Sequence, residues 1–140
     1  ATVSDAGARS VVFNVMMSDP DKANPQADSL FNDVAANTAN AVFPLIRLNP
    51  KNDAQSEVRA KMLPGVRLKD PAAGDTPLAV LFPVFPGTHD KLGVNNLKID
   101  KDGVVRRYAV WWPEAGFALP ARRRSRSTAS SPPCRACCWW

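Results

Sequence analysis

Two sets of charged residues, each held in or beside a short loop, are the side chains best placed to do chemistry in this chain. Asp19-Pro20-Asp21 directly follows an apolar run, and open α/β sheets place their sites at the C-terminal ends of strands. Two carboxylates there can hold a cation or a ligand's amine. The same residues also suit a solvated turn, since Asp and Pro favour turns. As a calcium loop the segment fails: Asn24 rather than Gly is sixth from Asp19, and Leu30 rather than Glu is twelfth. The second set is Asp100-Lys101-Asp102-Gly103-Val104-Val105-Arg106-Arg107. On a strand, Arg106 and Arg107 point to opposite faces, so one can face a pocket while the other meets solvent or the opposite layer. An inward arginine suits a carboxylate, either a ligand's or that of Asp19 or Asp21. The alternative is an ion pair that fixes a hairpin. Asn95 and Asn96 supply amides nearby and carry the same two readings.

The other chemically able residues lack partners. His89 is the single histidine and lies between Thr88 and Asp90 in a loop bounded by Pro and Gly. No serine or cysteine is placed to use it, and a triad needs partners whose roles can be named. No Gly-rich phosphate loop follows the first apolar run, where Ser18-Asp19-Pro20-Asp21 stands instead. Cys134, Cys137 and Cys138 form Cys-x-x-Cys-Cys without a histidine or a second pair, which is poor zinc spacing. No catalytic residue, cofactor or metal site is therefore assigned. Asp19, Asp21, Asn95, Asp102, Arg106 and Arg107 remain as the polar set that orders the domain or its ligand.

The elements that must position this set begin with Arg9–Met17, a nearly continuous β-prone apolar run that suits a strand buried on both faces. Asn24-Pro25 then starts a helix, with Asn as N-cap and Pro at the first helical position. Ala27, Leu30, Phe31, Val34 and Ala35 fall on one helical face, and Asp28 sits where the helix dipole favours an acid. Asn37–Asn40 ends the helix, and Ala41–Arg47 reads as a second strand. Strand, helix and strand make a βαβ unit. Pro44 removes a ladder donor, which places it at an edge or a bulge. Ala54–Leu63 has modest helical propensity, and Leu78–Phe85 is an apolar run broken by proline. Leu92–Ile99 and Val104–Trp112 flank Asp100–Gly103, the pattern of a hairpin with a glycine turn. The expectation is an α/β domain whose mixed sheet joins a βαβ unit to a C-terminal antiparallel hairpin. Trp111-Trp112-Pro113 with Phe117 reads as a lid over the core or a packing face.

Composition divides the chain. Its 140 residues carry a formal charge of +5 and a pI near 9.5. Yet Arg122–Trp140 contains five arginines, no acid and all three cysteines, which leaves 13 basic and 13 acidic residues before it. Residues 1–121 thus read as one charge-balanced domain. Residues 122–140 read either as a basic arm able to touch nucleic-acid phosphates or as a segment translated out of frame. The first gives an alternative function, nucleic-acid binding through the tail. No apolar run approaches the length of a spanning helix.

Gly7-Ala8-Arg9-Ser10-Val11-Val12-Phe13-Asn14-Val15-Met16-Met17-Ser18-Asp19-Pro20-Asp21 resembles the Gly-Ala-x-x-Val-x-Phe-Asp-x-x-Phe-x-Glu-Pro-Asp stretch of the CHASE domain of the second type. That name denotes the cyclase- and histidine-kinase-associated sensory extracellular domain. Asp28 in a helix, the strand at Val42–Leu45, and Gly93-Val94-Asn95 leading to Asp100-x-Asp102-Gly103-Val104-Val105-Arg106-Arg107 match it in order, over roughly residues 5–116. The resemblance implies a bacterial input module outside the membrane, between one N-terminal spanning helix and several C-terminal ones. It would feed a nucleotide cyclase or a kinase, respond to a small ligand or periplasmic partner, act without nucleic acid, and form a homodimer in the parent. It also implies that this chain is a fragment, with the domain's first strand and helix lying before Ala1 and Phe117–Ala121 beginning a closing helix. Two positions depart from the pattern: Asn14 stands for Asp, and Met17 for an aromatic.

Overall fold

The computed structural model describes Val3, residues 6–106 and residues 109–121. Helix α1, Pro25–Asn37, starts where Asn24 and Pro25 predict. The Asn24 side chain accepts from the Ala27 N–H at 3.3 Å, satisfying one of the donors a helix start leaves open. At the other end Thr38 N–H and Oγ1 both donate to the Val34 carbonyl. The buried ammonium of Lys91 donates to the Ala35 and Ala36 carbonyls, where the helix dipole favours a cation.

The inward face of α1 is rotated from the expected stripe. Phe31 and Ala35 pack inward, but Leu30 and Val34 are 66% and 53% exposed, and Asp28 and Asn32 share the inner side. Backbone packing explains the rotation. Gly87 lies so close to the helix that a Cβ there would stand 2.3 Å from the Asn32 carbonyl oxygen, while its N–H donates to Asn32 Oδ1 at 2.8 Å.

Strand β1, Val11–Val12, pairs in parallel with β2, Ala41–Arg47, and α1 completes the βαβ unit. β1 is far shorter than the Arg9–Met17 run and lies at the sheet edge, so Val12 and Val15 are exposed rather than buried on both faces. β2 is the axis of the sheet, with six of its seven residues buried. On its other side β5, Leu92–Val94, runs parallel, while β4, Val80–Leu81, pairs antiparallel with its last two residues on the β1 side, beyond the end of β1. Pro44 is therefore central, not at an edge. The backbone groups that point toward β1 and β4 are those of Val42, which accepts from Phe13, and of Leu48, just past β2, which donates to Ala79. Pro44 points the same way, past the end of β1 and before β4, where no ladder donor is required.

The second sheet is antiparallel, in the order β3 (Arg67–Leu68), β7 (Phe117–Pro120), β6 (Trp111–Glu114). The C-terminal hairpin is thus β6–β7, turned through Gly116 at φ +87°. It is not the expected pairing of Leu92–Ile99 with Val104–Trp112. The turn at Asp100–Gly103 does form, with Asp100 N–H donating to the Val104 carbonyl at 3.0 Å and Gly103 at φ +81°. Its flanks are claimed by stronger partners: Leu92–Val94 by β2, and Trp111–Glu114 by β7. Phe117 likewise continues a strand instead of starting a helix. Short 3-10 helices at Pro50–Gln55, Ala60–Met62, Pro71–Asp75 and Pro86–Lys91 fill the proline-rich middle. One core, centred on Phe43, Leu45, Leu78, Phe117 and Leu119, joins both sheets. The segment Arg122–Trp140 lies outside the described residues.

Candidate functional site

An open cleft of about 350 Å³ lies at the C-terminal end of β1, lined by Met16, Met17, Ser18, Asp19, Asp21, Asp28, Phe31 and Phe85. Its acidic wall is built by the turn that leads into α1. Asp21 Oδ1 accepts from the Ala23 N–H at 2.9 Å, and Asp28 Oδ2 accepts from the Asp21 N–H at 2.7 Å. Ser18 Oγ donates to Asp19 Oδ2 at 2.9 Å. Among the described residues, the bonds to each group fall on one carboxylate oxygen and leave the other available. The apolar wall belongs to an aromatic series rooted in the central strand. Phe13 stacks on Phe43 with centroids 4.9 Å apart, Phe31 meets Phe43 edge-on at 6.0 Å, and Phe85 meets Phe31 at 5.0 Å. A cation with an apolar body would match both walls. Among the described residues no three of His, Cys, Asp and Glu are grouped to hold a metal ion.

The remaining polar set lies elsewhere. Asn95 Nδ2 donates to Asn14 Oδ1, joining the ends of β5 and β1. Arg106 does not reach Asp19 or Asp21. It forks onto Asp102, with NH1 at 2.8 Å and NH2 at 2.5 Å, and also donates to Asp100 at 3.1 Å. The fork from Arg106, with the Val104 N–H, holds the Asp102 carboxyl below its ordinary range. The group closes its own exposed turn. Arg107 lies outside the described residues, as does the tail on which the nucleic-acid reading depends. His89 is half-buried, its Nε2 donating to the Pro83 carbonyl at 3.0 Å and its ring edge-on to Phe82.

Sequence reading missed Arg47. This residue is 7% exposed and sits at the end of β2. Its NH1 and NH2 each lie 2.7 Å from an oxygen of Asp53, and its Nε donates to Glu114 Oε1 at 2.9 Å. NH1 also reaches the Ala79 carbonyl at 3.0 Å. The Arg47 hydrogen bonds pull the Asp53 carboxyl below its ordinary range, against desolvation, which pushes the other way. The signal available was an arginine closing an otherwise apolar strand. Such a residue is carried into the core and must find acids there. Asn96 completes the arrangement: its Oδ1 accepts from the Arg47 N–H at 2.6 Å, and its Nδ2 donates to the Arg47 carbonyl at 2.8 Å.

No helix among the described residues is long and apolar enough to cross a membrane. No curated protein and no solved structure matches the chain. The family model of the CHASE2 domain matches residues 1–132. That match covers nearly the whole sequence and contains the entire described α/β fold, the acidic turn after β1 included. The chain belongs to the CHASE2 domain family, a family of sensory domains of signalling proteins.

Proposed function

We propose that this chain is the extracytoplasmic input domain of a bacterial transmembrane signalling protein whose output domain is a nucleotide cyclase or a kinase, and that it carries out no catalysis itself. The family match over residues 1–132 is the observation that carries this reading. The cleft at the end of β1 supplies the input site. Asp19, Asp21 and Asp28 receive the cationic group of a small ligand, and Met16, Met17, Phe31 and Phe85 cover its apolar part. The carboxylates do not converge as metal ligands do, which favours an organic amine over a metal ion. Asn95 ties the ends of β5 and β1 together, and Arg106 with Asp102 closes the exposed turn at Asp100–Gly103. Occupancy acts by favouring one of two packings, which requires the ligand to bind the two with different affinity. Flanking transmembrane helices, in a homodimeric parent, carry that bias inward.

The test uses two readouts. A phosphatase reporter joined after this domain in the parent protein is active if the domain is exported, and silent if it stays in the cytoplasm. Calorimetric titration with 2-phenylethylamine, compared with uncharged 2-phenylethanol, probes the cleft. The amine should bind and the alcohol should not, and Asp19→Asn with Asp28→Asn should abolish the difference. A cytoplasmic reporter result sinks the receptor reading; equal behaviour of the two compounds sinks the site.

A further inference from the structure

The second sheet has two chemically different faces. Phe117 and Leu119 are 2% and 0% exposed on the inner one, and Glu114 turns inward to Arg47. Strand alternation sends Arg67, Ala118, Pro113 and Trp111 to the outer one. Register sets Arg67, Ala118 and Pro113 in one row and Trp111 opposite Pro120 in the next. The Arg67 guanidinium carbon lies 3.7 Å from the centre of the Trp111 ring. Stacking uses the flat of the guanidinium and leaves its N–H edge open. Lys69, tied through its N–H to the Gly116 carbonyl at 2.9 Å, adds a second exposed cation two residues on.

The nearby acids are turned to other tasks. Asp70 Oδ1 accepts from the Ala73 N–H at 2.9 Å, and Asp75 pairs with Lys61 at 2.5 Å. Among the described residues no carboxylate pairs with Arg67 or Lys69. The charged side chains that alternation sends to this face are thus the cations Arg67 and Lys69, beside the Trp111 indole.

We propose that this face docks on an anionic lipid headgroup surface, with the Arg67 edge and Lys69 on phosphates and Trp111 at the level of the headgroups. Charge complementarity and the amphipathic ring argue for it. The membrane as partner rests on the proposed extracytoplasmic placement.

Co-sedimentation with vesicles tests it, using equal parts phosphatidylglycerol and phosphatidylcholine against phosphatidylcholine alone. The five tail arginines would bind anionic vesicles by themselves, so the full chain is used with Arg122, Arg123, Arg124, Arg126 and Arg135 replaced by Gln. Binding should need the anionic lipid and weaken with salt. Arg67→Glu with Lys69→Glu should lower partition about tenfold or more. Lys98→Glu with Lys101→Glu, an equal charge change on other exposed residues, should leave most of it. An equal loss in both pairs, binding to neutral vesicles, or equally tight binding to soluble polyglutamate would each overturn the proposal. Each of these results leaves the reporter measurement of domain placement unaffected, so the two claims fail separately. Unchanged melting of both variants confirms that the fold survives.

Discussion

Arg47, at the end of the central strand of the first sheet, donates from Nε to Glu114 of the second sheet at 2.9 Å while its other nitrogens hold Asp53. The two sheets are thus joined by a fork as well as by apolar packing. Removing the cation strands two largely buried carboxylates, with side chains 21% and 16% exposed. Arg47→Met should cost about 3–5 kcal/mol in urea unfolding, the range for breaking a buried pair from one side. Arg47→Lys keeps the charge but not the fork and should cost about 1–3 kcal/mol. Glu114→Gln should cost least of the three, because Asp53 still neutralises the guanidinium. A Met variant as stable as the parent would show that the fork contributes nothing.

The same fork predicts how stability responds to acid. Arg47 holds the Asp53 carboxyl below its ordinary value in the folded chain. In the unfolded chain that carboxyl protonates near its ordinary pKa of about 4. The contribution of Asp53 is then complete above about pH 4 and is lost as pH falls through the lower folded value, where the unfolded chain binds a proton that the native chain does not. Asp53→Asn should lower stability at neutral pH and flatten the decline below about pH 4. Asp102 is depressed in the same direction by Arg106, but the pair is exposed and screened by solvent. Asp102→Asn should therefore leave the acid limb in place at high salt.

Which parts of this architecture the sequence announces depends on how local their causes are. The bounds of α1 and β2 follow from neighbours in the chain: Asn24 and Pro25 at the helix start, and an apolar strand closed by Arg47. The turn at Asp100–Gly103 is equally local, and it forms. What its glycine does not specify is the partner of each flank, which is decided by long-range burial of Val94 against β2 and Phe117 against the same core. The rotation of α1 is likewise invisible from its own residues, because Gly87 imposes it from more than fifty positions away. The acidic wall of the cleft was legible from Asp19-Pro20-Asp21. Its apolar wall was not, since Phe85 arrives from another part of the chain.

Asn96 shows a side chain continuing a β-ladder. Its amide gives and receives one hydrogen bond with the Arg47 backbone, as a paired residue on a neighbouring strand would. Asn96→Ala leaves two backbone groups of a buried residue unpaired and should cost about 1–3 kcal/mol. Asn96→Asp keeps the acceptor but loses the donor, so the Arg47 carbonyl is left open while its N–H stays protected. Amide hydrogen exchange at Arg47 separates the cases: fast in the Ala variant and slow in the Asp variant. Equal exchange in both would mean that the side chain does not hold the strand.

Gly87 offers the sharpest steric test. A methyl group there meets the Asn32 carbonyl oxygen at 2.3 Å and the Ala36 nitrogen at 3.0 Å, both backbone atoms of α1 that cannot swing aside. Gly87→Ala must move the helix or its own segment, at a cost of about 1–3 kcal/mol by the usual scale of overpacking. The same segment carries Lys91, which caps the α1 carbonyls, and it follows Phe85, which meets Phe31 in the cleft. The damage should therefore spread in a defined pattern. Amide exchange should rise at Thr38 and the last turn of α1, and the Phe31 and Phe85 ring signals should shift, while the amides of β6 and β7 keep their protection. Stability within about 0.5 kcal/mol of the parent, the scale of a neutral surface change, would show that α1 is not held at the distance described.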